Sequence, residues 1–181
     1  MKIVIGLGNP GKKYEITRHN VGFMFLDQLV QEKALAWETS KKFQAEICKD
    51  GDTIYVKPQT FMNESGRSVQ AIMSFYNLLP KKLGLLKIKD SDLNNYLTVI
   101  HDDLDIEFGK YKVATNSRSA GHNGVQSIIN HLKTQNFKRI RIGIKGNKPE
   151  QMPVANYVLQ RFSDEELKNI KAIFPEIKNE L

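Results

Sequence analysis

A histidine and a separate cluster of acidic residues could together activate a water molecule. His19 lies in the segment TRHNVG, and the segment HDDLD at residues 101–105 follows a short apolar run. Open α/β sheets place their sites beyond the ends of strands, so both segments are expected at one rim of a sheet. A carboxylate such as Asp102 can hold an imidazole in one tautomer and stabilise its charged form. The pair therefore predicts a general base that takes a proton from water near neutral pH.

The HDDLD segment could instead bind a divalent metal ion, because hard cations favour several carboxylate oxygens and a histidine could join them. Asp102 and Asp103 are adjacent on a predicted strand, however, and adjacent strand residues point to opposite faces. We therefore favour the histidine and water over a metal-dependent phosphoesterase, and we expect neither a metal nor a cofactor. Asp103 and Asp105 would then be structural carboxylates.

Three asparagines lie in loops beside predicted regular elements. Asn9 lies in the turn after the first strand, while Asn63 and Asn123 each stand at the beginning of a predicted helix. Taken singly, a helix N-cap is the simpler explanation for Asn63 and for Asn123. Together, the three neutral amides favour a site that holds an acyl group and donates to its developing oxyanion.

The segment GLGNPG at residues 6–11 matches the G-x-G-x-x-G dinucleotide pattern directly after a strand. Pro10 removes a backbone N–H from the phosphate cradle, and no strand with an acidic end follows about 20 residues later. A tight turn that presents the amide of Asn9 is the better interpretation. No G-x-S-x-G elbow is present, and Cys48 is expected in the core, so the sequence offers no covalent nucleophile.

Alternating and helical apolar patterns predict the elements that position these residues. Strands interspersed with helices indicate an α/β fold: a single three-layer domain over residues 1–181, with a mixed, mostly parallel central sheet flanked by helices. Asp50-Gly51 predicts a hairpin, and the polar segment from Lys81 to Asn95 predicts an exposed loop. We predict strands at 2–7, 43–47, 54–56, 97–100, 111–113 and 140–144, and helices at 22–33, from 65, at 124–132 and from 163.

The charge balance favours a polyanionic partner. The chain has a formal net charge of +7 and a pI near 9.4, and phosphate contacts by lysine and arginine release counterions and add long-range attraction. No apolar run approaches the roughly 20 residues that a membrane span needs, and the single cysteine fits a reducing cytoplasm. We therefore expect a cytoplasmic protein that binds nucleic acid and no membrane.

Five segments, in order, together resemble the bacterial peptidyl-tRNA hydrolase family across most of the chain: GLGNPG, TRHNVG, PQTFMNESG, HDDLD and AGHNG. The resemblance implies hydrolysis of the ester between a peptide and the tRNA 3′ end, which recycles tRNA from peptidyl-tRNA released by ribosomes. It also implies a monomeric α/β domain without a metal, with His19 as the catalytic base and Asp102 as its orienting partner. Asn9, Asn63 and Asn123 would hold the substrate and the water.

The resemblance also implies further contacts and shows departures from the family pattern. Ala114 to Ala120, ATNSRSA, replaces a stretch that is glycine-rich in most relatives, and the loop from Lys81 to Asn95 is longer than usual. The C-terminal region looks short for the family, whose members build a lid after the last strand, here about Gly146 to Val158. A non-catalytic RNA-binding module is the alternative from another class. The residues that match the family's cleft are Tyr14, Phe61, Met62 and His122, and those that match its phosphate-contacting residues are Lys112 and Arg141.

Overall fold

Nine strands and six α-helices make up the part of the chain that the computed structural model describes, residues 1–82, 86–87, 89–146 and 148–181. The strands are β1 Lys2–Gly6, β2 Glu38–Ser40, β3 Ala45–Asp50, β4 Thr53–Pro58, β5 Lys81–Lys82, β6 Leu86–Lys87, β7 Leu97–Glu107, β8 Tyr111–Ala114 and β9 Lys138–Lys145. The α-helices are α1 Val21–Glu32, α2 Ser65–Phe75, α3 Asn123–Leu132, α4 Val154–Val158, α5 Asp164–Ala172 and α6 Phe174–Lys178. Short 3₁₀ turns cover Lys12–Tyr14, Arg18–Asn20 and Met62–Glu64.

The main sheet has seven strands in the order β2-β3-β4-β1-β7-β9-β8, and β5 pairs separately with β6. The four central strands are parallel, and the outer pairings are antiparallel, including the hairpin predicted at Asp50-Gly51 that joins β3 to β4. Strands β2, β4, β1, β7 and β9 therefore run in one direction, and β3 and β8 run in the other. This arrangement confirms the mixed, mostly parallel sheet.

Helices cover both faces of the sheet, as a three-layer α/β domain requires. In β1, Ile3 and Ile5 belong to a core cluster shared with α2 and α3, whereas Val4 belongs to a cluster shared with α1, α4, α5 and α6. This alternation along one strand is the period of two that predicted it. Helices α2 and α3 contribute Val69, Ile72, Met73, Val125, Ile128 and Leu132 to the first cluster.

The strand that carries the HDDLD segment is longer than predicted. β7 continues to Glu107 instead of ending at Ile100, so residues 101–105 lie within the strand. Its pairing with β1 stops where Gly6 lies beside Ile100. β7 thus projects past the carboxyl end of β1, and this projection carries Asp102 to the rim of the sheet where the site was expected.

Two glycines let α1 begin directly against the end of β1. A Cβ atom on Gly6 would lie 2.4 Å from the carbonyl oxygen of Gly22, and a Cβ atom on Gly22 would lie 2.4 Å from that of Ile100. A larger residue at either position would push α1 away from the sheet, because interiors are close-packed. This close approach holds the preceding turn, Arg18–Asn20, against β7.

The segment from Lys81 to Asn95 is only in part the exposed loop that its composition predicted: residues 89–95 lie outside helices and strands, and all of them except Leu93 are exposed or partly exposed. β5 pairs with β6, and Leu93 is fully buried in the cluster shared with α2 and α3. Among the side chains of this segment that the structure describes, Leu93 is the buried apolar anchor, and average composition does not reveal such an anchor. Residues 83–85 and 88, which fall under the same prediction, lie outside the described residues. Within the described part of the chain, no helix is long and apolar enough to cross a membrane.

Candidate active site

A cleft of about 710 Å³ opens beside the projecting end of β7. His19 and residues 102–105 of β7 line its base, and both His19 and Asp102 are buried. One side, here called the α3 wall, is formed by residues 119–123 before and at the start of α3. The other side, here called the α4 wall, consists of Lys145, Gly146, Lys148, Val154, Ala155, Tyr157 and Val158.

His19 and Asp102 form a buried hydrogen-bonded pair. His19 Nδ1 lies 2.8 Å from Asp102 Oδ1, and the two side chains are 11% and 3% exposed. An ionised carboxylate only accepts hydrogen bonds, so the neutral imidazole donates its Nδ1–H and keeps a lone pair on Nε2. This tautomer suits a general base whose Nε2 takes a proton from water.

Opposing effects set the pKa values of the pair. Burial disfavours the imidazolium and alone would lower the pKa of His19, but the charge and hydrogen bond of Asp102 raise that pKa above its ordinary value of 6.5. Burial alone would also raise the pKa of Asp102, but His19 and His122 hold it well below its usual range. Asp102 is therefore ionised at neutral pH.

His122 makes a second hydrogen bond to the same carboxylate oxygen. Its Nε2 lies 3.0 Å from Asp102 Oδ1, and its Nδ1 accepts from the backbone N–H groups of Gly124 and Val125 at 3.2 and 3.3 Å. Because Nδ1 accepts, the ring proton lies on Nε2 and is donated to Asp102. Sequence reasoning placed His122 in the cleft but missed that it is the N-cap of α3.

Neither Asn63 nor Asn123 is the helix N-cap that was the simpler explanation for each. The N-caps of α2 and α3 are Glu64 and His122. Asn63 lies in the 3₁₀ turn before α2, and Asn123 is the first residue of α3. Both residues are exposed, so their amides are accessible to a substrate.

Asn9 is held in place by Asn20, a residue that sequence reasoning missed. Asn9 N–H donates to Asn20 Oδ1, and Asn20 Nδ2 donates to the carbonyl oxygen of Asn9, both at 2.9 Å. Asn9 Oδ1 accepts from the backbone N–H of Met62 at 2.8 Å, so the donor of this side chain is its NH₂ group. The only sequence signal for Asn20 is its position next to His19 in TRHN.

The other residues predicted to contact the substrate are divided between the cleft and its surroundings. Asn123 lines the cleft as part of the α3 wall. Tyr14, Phe61 and Asn63 are not among the described residues that line it; Tyr14 is half-buried, and Phe61 is 59% exposed. Met62 is buried in the core. The cleft therefore brings together His19, Asp102, His122 and Asn123, whereas Asn9 is not among the described residues that line it and is joined to the turn of His19 through Asn20.

The predicted phosphate-contacting residues lie on a neighbouring strand pair. Lys112 and Arg141 are cross-strand partners on β8 and β9, and Lys112 is exposed. Arg141 Nε lies 2.7 Å from Asp103 Oδ2, and Asp103 Oδ1 accepts from the backbone N–H of Asp105. Asp102 and Asp103 thus bond to different partners, as the prediction that they point to opposite faces requires, although both line the cleft. A phosphate bound at Arg141 would share its guanidinium with Asp103.

The described residues include one group of three side chains that could hold a metal ion. It consists of His19, Asp102 and His122, whose ligand atoms lie within 4.8 Å of one another. Both rings donate to Asp102, and both nitrogens of His122 are in hydrogen bonds, so a metal ion held by all three residues would have to replace bonds that the structure makes. This donor set fits the hydrogen-bonded arrangement better than it fits a metal ion.

Comparisons with known proteins agree with the geometry of the cleft. The family model for peptidyl-tRNA hydrolase matches residues 3–181. A curated peptidyl-tRNA hydrolase of Lactiplantibacillus plantarum is 43% identical over 171 residues, which cover 92% of this chain and 83% of the relative. A crystal structure of peptidyl-tRNA hydrolase from Acinetobacter baumannii matches with a TM-score of 0.81 at 29% identity, covering 97% of this chain and 83% of that chain. A complex of peptidyl-tRNA hydrolase with N-propanol gives the same four values. The chain belongs to the peptidyl-tRNA hydrolase family.

Proposed function

We propose that this protein hydrolyses the ester between the peptide and the tRNA 3′ end of peptidyl-tRNA, with His19 as the base that activates water. Family membership supports the substrate class. The observation that carries the mechanism is the buried 2.8 Å hydrogen bond between His19 Nδ1 and Asp102, because it leaves His19 Nε2 as an acceptor at the base of the cleft.

In the proposed reaction, His19 Nε2 accepts a proton from water as the water oxygen attacks the ester carbonyl carbon. The ionised carboxylate of Asp102 stabilises the imidazolium that forms. Collapse of the tetrahedral intermediate breaks the bond to the ribose oxygen, and His19 returns the proton to that oxygen. The products are the free peptide acid and a tRNA with a free terminal hydroxyl group.

Neutral amides suit the stabilisation of charge on the carbonyl oxygen in this reaction. Asn123 lines the cleft next to His122, and the NH₂ group of Asn9 is free of the bond that its Oδ1 makes. Amide donors aimed at a developing oxyanion stabilise the transition state more than the ground state. We assign the more distant Asn63, with Phe61 and Tyr14, to parts of the substrate away from the ester.

The basic surface suits the tRNA part of the substrate. The net charge of +7 attracts a polyanion, and the exposed Lys112 lies beside Arg141 on the outer strands. His19, Asp102 and His122 all come from one chain, so we assign the activity to a monomer. We place the reaction in the cytoplasm, where peptidyl-tRNA is released.

The deciding experiment follows release of the blocked aminoacyl group from N-acetylaminoacyl-tRNA in the presence of a chelator. The protein should cleave this substrate and leave unblocked aminoacyl-tRNA intact, and a folded His19→Ala variant should lose the activity. Activity that chelator abolishes and magnesium or manganese restores would support a metal-dependent phosphoesterase. Salt-sensitive tRNA binding without cleavage would support the RNA-binding module.

A further inference from the structure

Three consecutive residues of one 3₁₀ turn form side-chain hydrogen bonds with three different parts of the molecule. The turn is Arg18–Asn20, and all of its residues are buried. His19 binds Asp102 on β7, and Asn20 binds the backbone of Asn9. Arg18 leaves the turn in a third direction, towards the segment that follows α4. The turn is therefore a junction between the base of the cleft and the C-terminal part of the chain.

The guanidinium group of Arg18 makes two kinds of contact: hydrogen bonds through its N–H groups and cation–π contacts with two aromatic rings. Nη1 donates to the carbonyl oxygen of Arg161 at 3.0 Å, and Nη2 donates to Glu166 Oε1 at 2.6 Å. Its central carbon lies 4.7 Å from the centre of the Tyr157 ring and 5.3 Å from that of Phe162. A planar cation with fixed N–H directions specifies one orientation, which lysine or an apolar side chain does not.

The main chain makes the same connection beside the side chain. Arg18 N–H donates to the carbonyl oxygen of Gln160 at 3.0 Å, and Phe162 N–H donates to that of Ile16 at 2.9 Å. These bonds attach the turn to the segment after α4 in a single register. Side chain and backbone therefore place Arg18 at a fixed point relative to α4.

Tyr157 extends this connection to the α4 wall. Its hydroxyl donates to the carbonyl oxygen of Ile144 at 2.9 Å and accepts from Gly146 N–H at 3.2 Å. Tyr157 and Gly146 both line the cleft. A shift of the α4 wall relative to His19 would therefore have to break the contacts of Arg18.

Stability alone does not account for a buried arginine at this place. Arg18 is 7% exposed, and its partner Glu166 has a side chain that is 30% exposed. Ion pairs that are largely buried add little net stability, because the cost of removing the charges from water offsets their attraction. The specific orientation that Arg18 imposes is the property that an apolar replacement would lack.

We propose that Arg18 is a positioning residue: it fixes the turn that carries His19 against the α4 wall, so that a substrate held by this wall presents its ester carbonyl to His19. The inference rests on the proposed function of the same cleft. Errors of about 1 Å in the placement of reacting groups can cost about 10²-fold in rate. Arg18 thus acts through His19 and does not touch the reacting atoms.

The test compares Arg18→Met and Arg18→Lys with Arg161→Gln, a control at an exposed position of the same segment. Folded Arg18→Met should lose about 10- to 100-fold in kcat on N-acetylaminoacyl-tRNA, with a smaller change in KM. Arg18→Lys keeps a charge near Glu166 without the planar fork, so its kcat should lie between those of Arg18→Met and the wild type. Arg161→Gln should retain the wild-type kcat.

A second measurement does not depend on turnover: the titration of the His19 ring followed by NMR, in a chain with only four histidines. The groups that face this ring are Asp102 and His122. A loosened turn weakens the bond to Asp102, so the titration midpoint of His19 should move down in Arg18→Met and remain constant in Arg161→Gln. A smaller folded fraction alone would not move the midpoint.

An unchanged midpoint in folded Arg18→Met would overturn the inference, whatever happens to kcat. If that variant does not fold, the same criterion applies to Arg18→Lys. Absence of cleavage by the wild type would instead overturn the proposed function, and the ring titration would still decide whether Arg18 positions His19.

Discussion

His19 and His122 bind the same carboxylate oxygen, but the second ring nitrogen is free in His19 and hydrogen-bonded in His122. His19 uses Nδ1 for Asp102 and keeps the lone pair of Nε2 at the base of the cleft. His122 uses Nε2 for Asp102 and Nδ1 for the backbone of α3, so both of its nitrogens are engaged. The two rings lie only 4.8 Å apart. Of the two rings beside the carboxylate, His19 is therefore the one with a nitrogen left to accept a proton.

The elements that carry the two histidines explain the difference. A helix begins with backbone N–H groups that have no partner within the helix, and the N-cap side chain accepts from them. His122 occupies that position in α3, so its second nitrogen is used for structure. His19 lies in the short turn before α1, and the N-cap of α1 is the next residue, Asn20. The same residue type thus keeps a free ring nitrogen in one element and caps a helix in the other.

The largest expected effect is a difference in kcat between alanine variants of the two histidines. Positioned acid–base catalysis is worth about 10² to 10⁴ in rate, so folded His19→Ala should lose kcat over that range. His122→Ala should lose less, because the base and its water remain. Steady-state kinetics of both variants on N-acetylaminoacyl-tRNA measure the difference. Equal losses of kcat would show that the two imidazoles act together, and they would contradict the different roles assigned to His19 and His122.

Asp102→Asn tests the group that the two histidines share. An amide oxygen can still accept from both rings, but the negative charge that stabilises the imidazolium is gone, so kcat should fall by about 10² or more. The charge of Asp102 also raises the pKa of His19, so the acid limb of the pH–kcat curve should move to lower pH. A shift to higher pH would contradict this account of the pair.

His122 should reveal its structural role in unfolding experiments. His122→Ala removes the N-cap of α3, which typically costs about 1 kcal/mol of the free energy of unfolding. Asparagine is a good N-cap, so His122→Asn should recover most of that stability. It should remain less active than the wild type, because the donor to Asp102 is missing. Urea unfolding that gives the two variants the same stability would contradict the capping role.

The smallest expected effect is the change of stability with pH. The pKa of His19 is higher in the folded protein than its ordinary value of 6.5, so the folded state holds this proton more tightly. The resulting stabilisation is fully present below pH about 6.5 and is lost as pH rises through the folded pKa. The Tm of the wild type should therefore fall relative to that of His19→Asn across this window, while kcat rises because the base becomes neutral. A Tm difference that moves the other way would contradict the pairing.

The residue types of the site could be predicted from sequence, whereas its connections could not. Alternation along a strand is a local property, so the prediction that Asp102 and Asp103 point to opposite faces agrees with their different partners. The predicted end of β7 at Ile100 is wrong, because polar residues interrupt the apolar pattern although 101–103 are buried against partners on other elements. Arg18 meets Glu166 across 148 positions of sequence, a contact that no local pattern encodes.

Two adjacent residues of β7, Asp102 and Asp103, carry carboxylates, so contact with the two histidines alone does not fix the pairing register of this strand. If β7 moved by one residue towards its N-terminus, Asp103 would stand where Asp102 now stands, and a carboxylate would still meet both rings. Arg141 would then face Leu104 in place of its carboxylate partner, and Asp102 would replace the buried His101. The bond between Arg141 and Asp103 therefore opposes this slip together with the buried apolar residues of β7, because Leu104 cannot accept from a guanidinium group.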